Sequence, residues 1–150
     1  MEELILTPQG PTLYLIPCTL GDNAPMEVLP LTVRKVIEPL THFIVENEKE
    51  ARRFIKRIAP QKKQDQLALY PLNKFTDPME LQNYLDPLEA GQSMGLLSDA
   101  GCPGIADPGA VMVKRAHSKG FNVKPLVGPS SLLLALMSSG MNGQSFAFNG

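Results

Sequence analysis

Met94-Gly95-Leu96-Leu97, followed by Ser98-Asp99-Ala100-Gly101-Cys102-Pro103-Gly104-Ile105-Ala106-Asp107-Pro108-Gly109, is the stretch on which the reading of this chain turns. Its first four residues form an apolar run of the kind that makes a buried strand, and a helical pattern follows over residues 110–119. A strand-to-helix connection usually takes ~2–6 residues. This one fills positions 98–109 and holds three glycines, two prolines and two aspartates. Glycine lets backbone approach a ligand, and proline fixes turns. In parallel α/β sheets ligands lie at the carboxyl ends of strands, which is where this loop falls. It reads as a ligand-holding loop; the plainer alternative is a rigid surface loop with Asp107 seated in a turn.

Working outward, further apolar runs occupy residues 13–16, 43–45, 67–70 and 123–127. Successive starts are about 25 to 30 residues apart, the size of one βα unit. Ala51, Phe54, Ile55 and Ile58 fall at i, i+3, i+4 and i+7, one apolar face of a helix. Asp77-Pro78-Met79-Glu80 offers an N-cap, a proline at the first helical position and a capping-box glutamate. It predicts a helix that Gly91 ends and Pro87 kinks or shortens. Gly128-Pro129 opens another helix, and Ser138-Ser139-Gly140 closes it. Residues 132–137 of that helix are apolar all round, most simply a buried helix, with a dimer interface as the second reading. The runs are apolar throughout rather than alternating, so the strands are expected to be covered on both faces. The expected fold is α/β: three layers, α/β/α, around a five-stranded, mainly parallel sheet. The α/β domain is expected to cover residues 1–144. Residues 145–150 begin one more apolar run and read as the start of a connection to a further domain.

Composition narrows the classes. The 150 residues suit one domain, and 43% apolar residues suffice for a core and exclude disorder. Fourteen basic against fifteen acidic side chains exclude a general attractor of nucleic acid, so any such contact must be local. The apolar run 132–137 is far too short to cross a bilayer, and Met1-Glu2-Glu3 lacks the basic start of a signal peptide. Cys18 and Cys102 stand far apart, with no CxxC pair and no histidine cluster. That speaks against a metal site or a disulfide framework and fits a reducing cytoplasm. His42 and His117 are isolated and read as structural or surface histidines. No GxGxxG, GxxxxGK[ST] or GxSxG is present. What remains is a small-molecule cradle made mainly of backbone. Residues 17–30, with Leu20-Gly21-Asp22-Asn23, follow the first strand, and Gly128-Pro129-Ser130-Ser131 makes a third turn at the same edge. The helix opened there presents N–H groups suited to a carboxylate or phosphate.

Leu13-Tyr14-Leu15-Ile16-Pro17 with Leu20-Gly21, Ser98-Asp99-Ala100-Gly101 with Pro103 and Asp107-Pro108-Gly109, and Gly128-Pro129-Ser130 occur in collinear order. Together they resemble the tetrapyrrole (corrin/porphyrin) methylases, and within them the small-subunit ribosomal RNA ribose 2′-O-methyltransferases. The resemblance covers about residues 13–150. It implies an S-adenosylmethionine-dependent methyltransferase of two α/β domains, usually dimeric, with the cofactor in the cleft between them. This chain would then be the N-terminal, cofactor-binding domain. By motif match the cofactor would contact Pro17, Leu20 and Gly21 after the first strand. It would also contact Ser98, Asp99, Ala100, Gly101, Pro103, Ile105, Asp107 and Pro108 in the long loop, and Gly128, Pro129 and Ser130 in the third turn. The carboxylates of Asp99 and Asp107 suit its ammonium, and backbone N–H groups suit its carboxylate. Neither metal nor membrane is called for.

The RNA-methylating branch reads Glu-Asp-Thr-Arg after its second strand, where this chain has Glu46-Asn47-Glu48-Lys49. Glu46 and the later Arg52 match in place and are the catalytic candidates that the resemblance implies. Cys18-Thr19 stands where Thr-Pro is usual, and Cys102 where a Thr is usual. Arg52, Arg53, Lys56 and Arg57, with Lys62-Lys63 beyond, read either as a phosphate-contacting patch or as a solvated face balanced by Glu46, Glu48 and Glu50. The expected function is methylation of ribosomal RNA by a cytoplasmic homodimer. The alternatives are a methylase of a small tetrapyrrole-like acceptor and a non-enzymatic domain that binds a nucleotide-like ligand.

Overall fold

The computed structural model describes residues 10–150. The start of the expected 1–144 domain, Met1-Glu2-Glu3 included, lies outside the described residues. Five strands are present: β1 (Thr12–Ile16), β2 (His42–Val45), β3 (Ala68–Pro71), β4 (Met94–Leu97) and β5 (Asn122–Pro125). They form one all-parallel sheet in the order β3-β2-β4-β1-β5. In the central register Tyr14 and Phe43 both flank Gly95, and Ile16 lies opposite Leu97. Among the described residues five α-helices lie between the strands, α1 (Pro25–Val28), α2 (Leu31–Ile37), α3 (Glu48–Ile58), α4 (Asp86–Glu89) and α5 (Ala110–Ser118), and α6 (Ser131–Ser139) follows β5.

Period-two alternation of side chains divides the strand residues between two cores. Tyr14, Ile16, Phe43 and Val45 pack on one face with Val33 and Ile37 of α2 and Phe54, Ile55 and Ile58 of α3. Leu13, Ile44, Met94 and Leu96 pack on the other with Leu88 of α4 and Met112 and Ala116 of α5. Burying each such large side chain stabilises the fold by ~1.5–3 kcal/mol. This is the expected three-layer α/β/α arrangement. α3 forms where its periodicity predicts. The Asn47 side chain caps it by accepting from the Glu50 N–H at 3.2 Å, and Glu48 and Glu50 begin it while Lys56 and Arg57 end it, complementing the helix dipole.

Three expectations need correction. Residues 77–91 do not make one helix. The Asp77 carboxylate accepts from the Met79 N–H at 2.9 Å in a local turn, a 3₁₀ turn covers Glu80–Asn83, and α4 begins anew with Pro87 in its first turn. Proline is tolerated there and not in a helix interior, so the chain divides before it. Covering on both faces holds for the central strands β1, β2 and β4 but not for the edges, because β3 and β5 are only half-buried or exposed. The helix over residues 132–137 is not buried. α6 holds no buried residue, and Leu133, Leu134 and Met137 are exposed, since it follows an edge strand and no other described element covers it.

The topology positions the site. α2 and α3 lie on one face, α4 and α5 on the other. The chain therefore leaves the neighbours β2 and β4 toward opposite faces, which opens a crevice at their carboxyl ends.

A Cβ at Gly95 would come within 2.7 Å of both Ile16 Cδ1 and Phe43 Cδ1. Gly95→Ala should therefore destabilise the protein by about 1–3 kcal/mol through overpacking. Chemical denaturation is the measurement; an unchanged midpoint and slope would show that the two side chains yield freely.

Candidate functional site

Three loops meet beyond the carboxyl ends of β1, β4 and β5. The Cys18 N–H donates to the Gly101 carbonyl at 3.0 Å, tying the loop after β1 to the loop after β4. The Ser98 hydroxyl faces the Ala100 and Gly101 carbonyls at 3.0 and 3.3 Å and holds the turn between them. Gly101 sits at φ +66°, in the left-handed region. A Cβ there would lie 3.0 Å from both Leu20 Cδ2 and the Pro129 carbonyl. The third loop is held close on both sides: the Cys102 thiol donates to the Pro129 carbonyl at 3.2 Å, and any side chain at Gly128 would run into the Pro17 ring. Pro17, Leu20, Ser98, Ala100, Gly101, Gly128 and Pro129 are thus brought together. Gly21 and Asp99 line a neighbouring cavity, and Ser130 occupies the N-cap of α6.

The second half of the long loop closes on itself. The Asp107 carboxylate accepts from the Gly104 N–H through both oxygens, at 2.8 and 2.9 Å, and from the Gly109 N–H at 2.8 Å. Asp107 thus stands in a turn, as the plainer alternative has it, and shapes the start of α5. Ala106 has φ 58°, a conformation that side chains other than glycine seldom adopt. Ile105 is exposed at the tip. Pro103, Asp107 and Pro108 line a narrow crevice over Val45 and Leu97, between β2 and β4.

Two carboxylates face each other across that divide. Glu46, just past β2, accepts from the Asp99 N–H through Oε2 at 3.1 Å, and its own carbonyl accepts from the Asn73 side-chain amide at 3.1 Å. Burial pushes the Asp99 carboxyl above the ordinary carboxylate range, and the charges of Glu46 and Glu50 push the same way; a hydrogen bond from the Asn47 backbone opposes them. Burial, with the Asp99 charge second, raises the Cys18 thiol to about 12, so it stays protonated at neutral pH. A solvent-open cavity of about 630 Å³ lies between the loop after β1 and α3, with Arg53, Phe54 and Arg57 on one wall and Ser98 and Asp99 on another.

Arg52 is not brought to this cluster. Its guanidinium donates to the Gln64 carbonyl at 2.9 Å, and the Gln64 amide returns a bond to the Arg52 carbonyl at 3.2 Å. Of the two catalytic candidates only Glu46 stands beside Asp99. Arg57 is also engaged, donating to the Asp22 and Asn23 carbonyls at 3.2 and 3.1 Å. Sequence reasoning missed Glu50 and Phe54 as wall residues, and missed the loop Asn73-Lys74-Phe75. Both carried a signal. Glu50, Arg53, Phe54 and Arg57 repeat at i, i+3, i+4 and i+7, and Asn73 follows an expected strand at its carboxyl end. Among the described residues no group of three or more His, Cys, Asp or Glu side chains could hold a metal ion, and no helix is long and apolar enough to cross a membrane.

The raised Asp99 carboxyl has a stability consequence. Between its unfolded and folded values the folded state holds the proton more tightly, so the stability it confers is full at low pH and is lost as pH rises through the folded value. Asp99→Asn should therefore melt higher than wild type at neutral pH, with the gap closing as pH falls through the carboxylate range. The gain should be on the order of 0.5 kcal/mol, since solvent screens a largely exposed group. Thermal melts over a pH series test this; a gap independent of pH would remove the electrostatic account.

No family model matches the chain. It is 30% identical over 151 residues to the ribosomal RNA small subunit methyltransferase I of Vibrio cholerae serotype O1, across all of this chain and 50% of the relative. It is 30% identical over 148 residues to the protein of the same name from Xylella fastidiosa, across 99% of this chain and 47% of the relative. The protein of that name from Leptospira biflexa is 31% identical over 128 residues, across 85% of this chain and 50% of the relative. The chain spans about half the length of the curated relatives it matches. Along its whole length the chain is homologous to proteins named ribosomal RNA small subunit methyltransferase I, the branch that its motifs resemble.

Proposed function

We propose that this chain is the N-terminal, cofactor-binding part of an S-adenosylmethionine-dependent methyltransferase that acts on small-subunit ribosomal RNA. The observation that carries the reading is the meeting of the loops at 17–21, 98–109 and 128–130, in a chain whose relatives are named rRNA methyltransferases. The domain would run to about residue 144, with 145–150 leading onward. A cytoplasmic homodimer belongs to the same reading; the exposed apolar side chains of α6 support a face that is covered in the assembly.

The residues present fit S-adenosylmethionine. Gly101 and Gly128 let the three loops pack directly on one another, so a ligand on this surface would meet much main chain. Asp99 and Glu46 offer carboxylates to its positive groups. Pro17, Leu20, Gly21, Ser98, Ala100, Gly101, Pro103, Ile105, Pro108, Gly128, Pro129 and Ser130 would surround it. Asp107 would act by holding the loop in shape. When bound, the cofactor supplies an electrophilic methyl on a sulfonium. This chain orients and desolvates the reactants, and positioning of that kind can supply most of the acceleration of a methyl transfer. Glu46, the catalytic candidate beside Asp99, would hold the acceptor hydroxyl and take up its proton, with Asp99 left to the cofactor's ammonium. Arg53 and Lys56, exposed on α3, would meet RNA phosphates.

In the full-length protein, Asp107→Ala should weaken S-adenosylmethionine binding by roughly tenfold to a hundredfold, since each charge-assisted hydrogen bond lost from the loop is worth roughly 1.5–3 kcal/mol. Lys56→Ala should lower affinity for small-subunit RNA and flatten its salt dependence, with cofactor affinity unchanged. Calorimetry and RNA titration at several salt concentrations are the measurements. Wild-type cofactor affinity in Asp107→Ala at normal stability would remove the loop from the binding site.

A further inference from the structure

The loop after β3 is built more rigidly than a connector needs. The Asn73 N–H donates to Thr76 Oγ1 at 3.0 Å, and the Thr76 N–H donates to the Asn73 carbonyl at 3.1 Å. The Thr76 hydroxyl donates to the Pro71 carbonyl at 3.0 Å. Asn73 Oδ1 accepts from the Phe75 N–H at 2.9 Å, and its amide reaches the Glu46 carbonyl. The side chain presented by this turn is Phe75, 84% exposed, with the Lys74 ammonium 5.0 Å from the ring centroid. Both residues stand on the rim of an open groove of about 990 Å³ that Glu46, Asn47, Asp99 and Pro108 also line.

We infer that Phe75 is a stacking platform for an unpaired base of the RNA acceptor, with Lys74 engaging the adjoining phosphate. The inference rests on the reading proposed above and adds to it how the acceptor is gripped. A single phenyl ring held in water on a five-bond turn adds nothing to either core, whereas every nucleobase offers it a π-face. Proteins that read RNA commonly splay unpaired bases onto aromatic side chains. Charge sets the direction of approach. The groove is lined by the carboxylates of Glu46 and Asp99, which repel phosphate, while Lys74 lies on its rim. The uncharged base and sugar can enter, and the phosphates stay outside, toward Lys74.

Residues 1–150 contain no tryptophan, so Phe75→Trp in the full-length protein places the one indole of this part at the platform, and its emission is read as the difference from wild type. The probes are a small-subunit ribosomal RNA hairpin with an unpaired loop and a fully paired duplex of the same composition. Phe75→Trp should bind the hairpin as wild type does, with its emission quenched, and the duplex should leave the emission unchanged. Phe75→Ala should bind the hairpin roughly ten- to a hundredfold more weakly, with the same salt slope, melting temperature and S-adenosylmethionine affinity as wild type. Lys74→Ala should lower the salt slope by about one. Hairpin binding unaltered in Phe75→Ala, with emission of Phe75→Trp unaltered, would overturn the platform while leaving the RNA reading in place. A wild-type protein that binds neither RNA would overturn the RNA reading itself. Loss of binding in Phe75→Ala that tracks a lowered melting temperature would make Phe75 a packing residue and overturn the platform.

Discussion

The hydrogen bond from the Cys18 amide to the Gly101 carbonyl is the constraint on which the rest of the site depends. β1 and β4 are neighbours in the middle of the sheet, and their register ends at Ile16 and Leu97. Beyond that point the two chains would be free to part, since one continues to α1 and α2 and the other to α5. The bond holds them together for one more turn. Gly101 can serve only because it takes a left-handed conformation, and it is then wedged between Leu20 and the Pro129 carbonyl. The Cys102 thiol and the Gly128–Pro17 contact draw in the loop after β5. Segments some 80 and 110 residues apart along the chain thus form one surface. The cost of ordering them is met by the two cores beneath, so the surface is shaped before any ligand arrives.

The electrostatics of the site are divided by element. Asp99 and Glu46 put negative charge at the base of the crevice, and Glu50 adds to it from α3. The same helix turns Arg53 and Lys56 outward. A cationic group is favoured at the carboxylates and a polyanion at the exposed face of the helix. Arg52 and Arg57 stand outside this division because backbone carbonyls of Gln64, Asp22 and Asn23 engage them. A run of four basic residues in the sequence is therefore two free cations and two fasteners.

What could be read from sequence follows how local each determinant is. β1, β2, β4 and α3 were legible because apolar runs and apolar periodicity lie within a few residues of what they specify. The long loop was legible from its density of glycine and proline. The helix expected over 77–91 failed because Asp77, placed to cap a helix, closed a tighter turn with Met79 instead, and because Pro87 began a new element. The fate of Arg52 depends on Gln64, twelve residues on, and the pairing of Glu46 with Asp99 spans fifty-three. Neither follows from spacing. The composition of α6 was plain, but its exposure depends on what lies beside β5, which a local pattern does not carry.

Both edge strands end in proline, β3 at Pro71 and β5 at Pro125. The next residues, Leu72 and Leu126, turn their amides inward to the Val45 and Leu15 carbonyls. Alternation along a strand then points Pro71 and Pro125 outward, where a missing N–H costs the sheet nothing and removes a donor from the open rim. A foreign strand adding to either side would lose its ladder at the carboxyl end, next to the site. The sheet is thereby guarded against unwanted lengthening where its chemistry is concentrated, and association there falls to loops and helix faces.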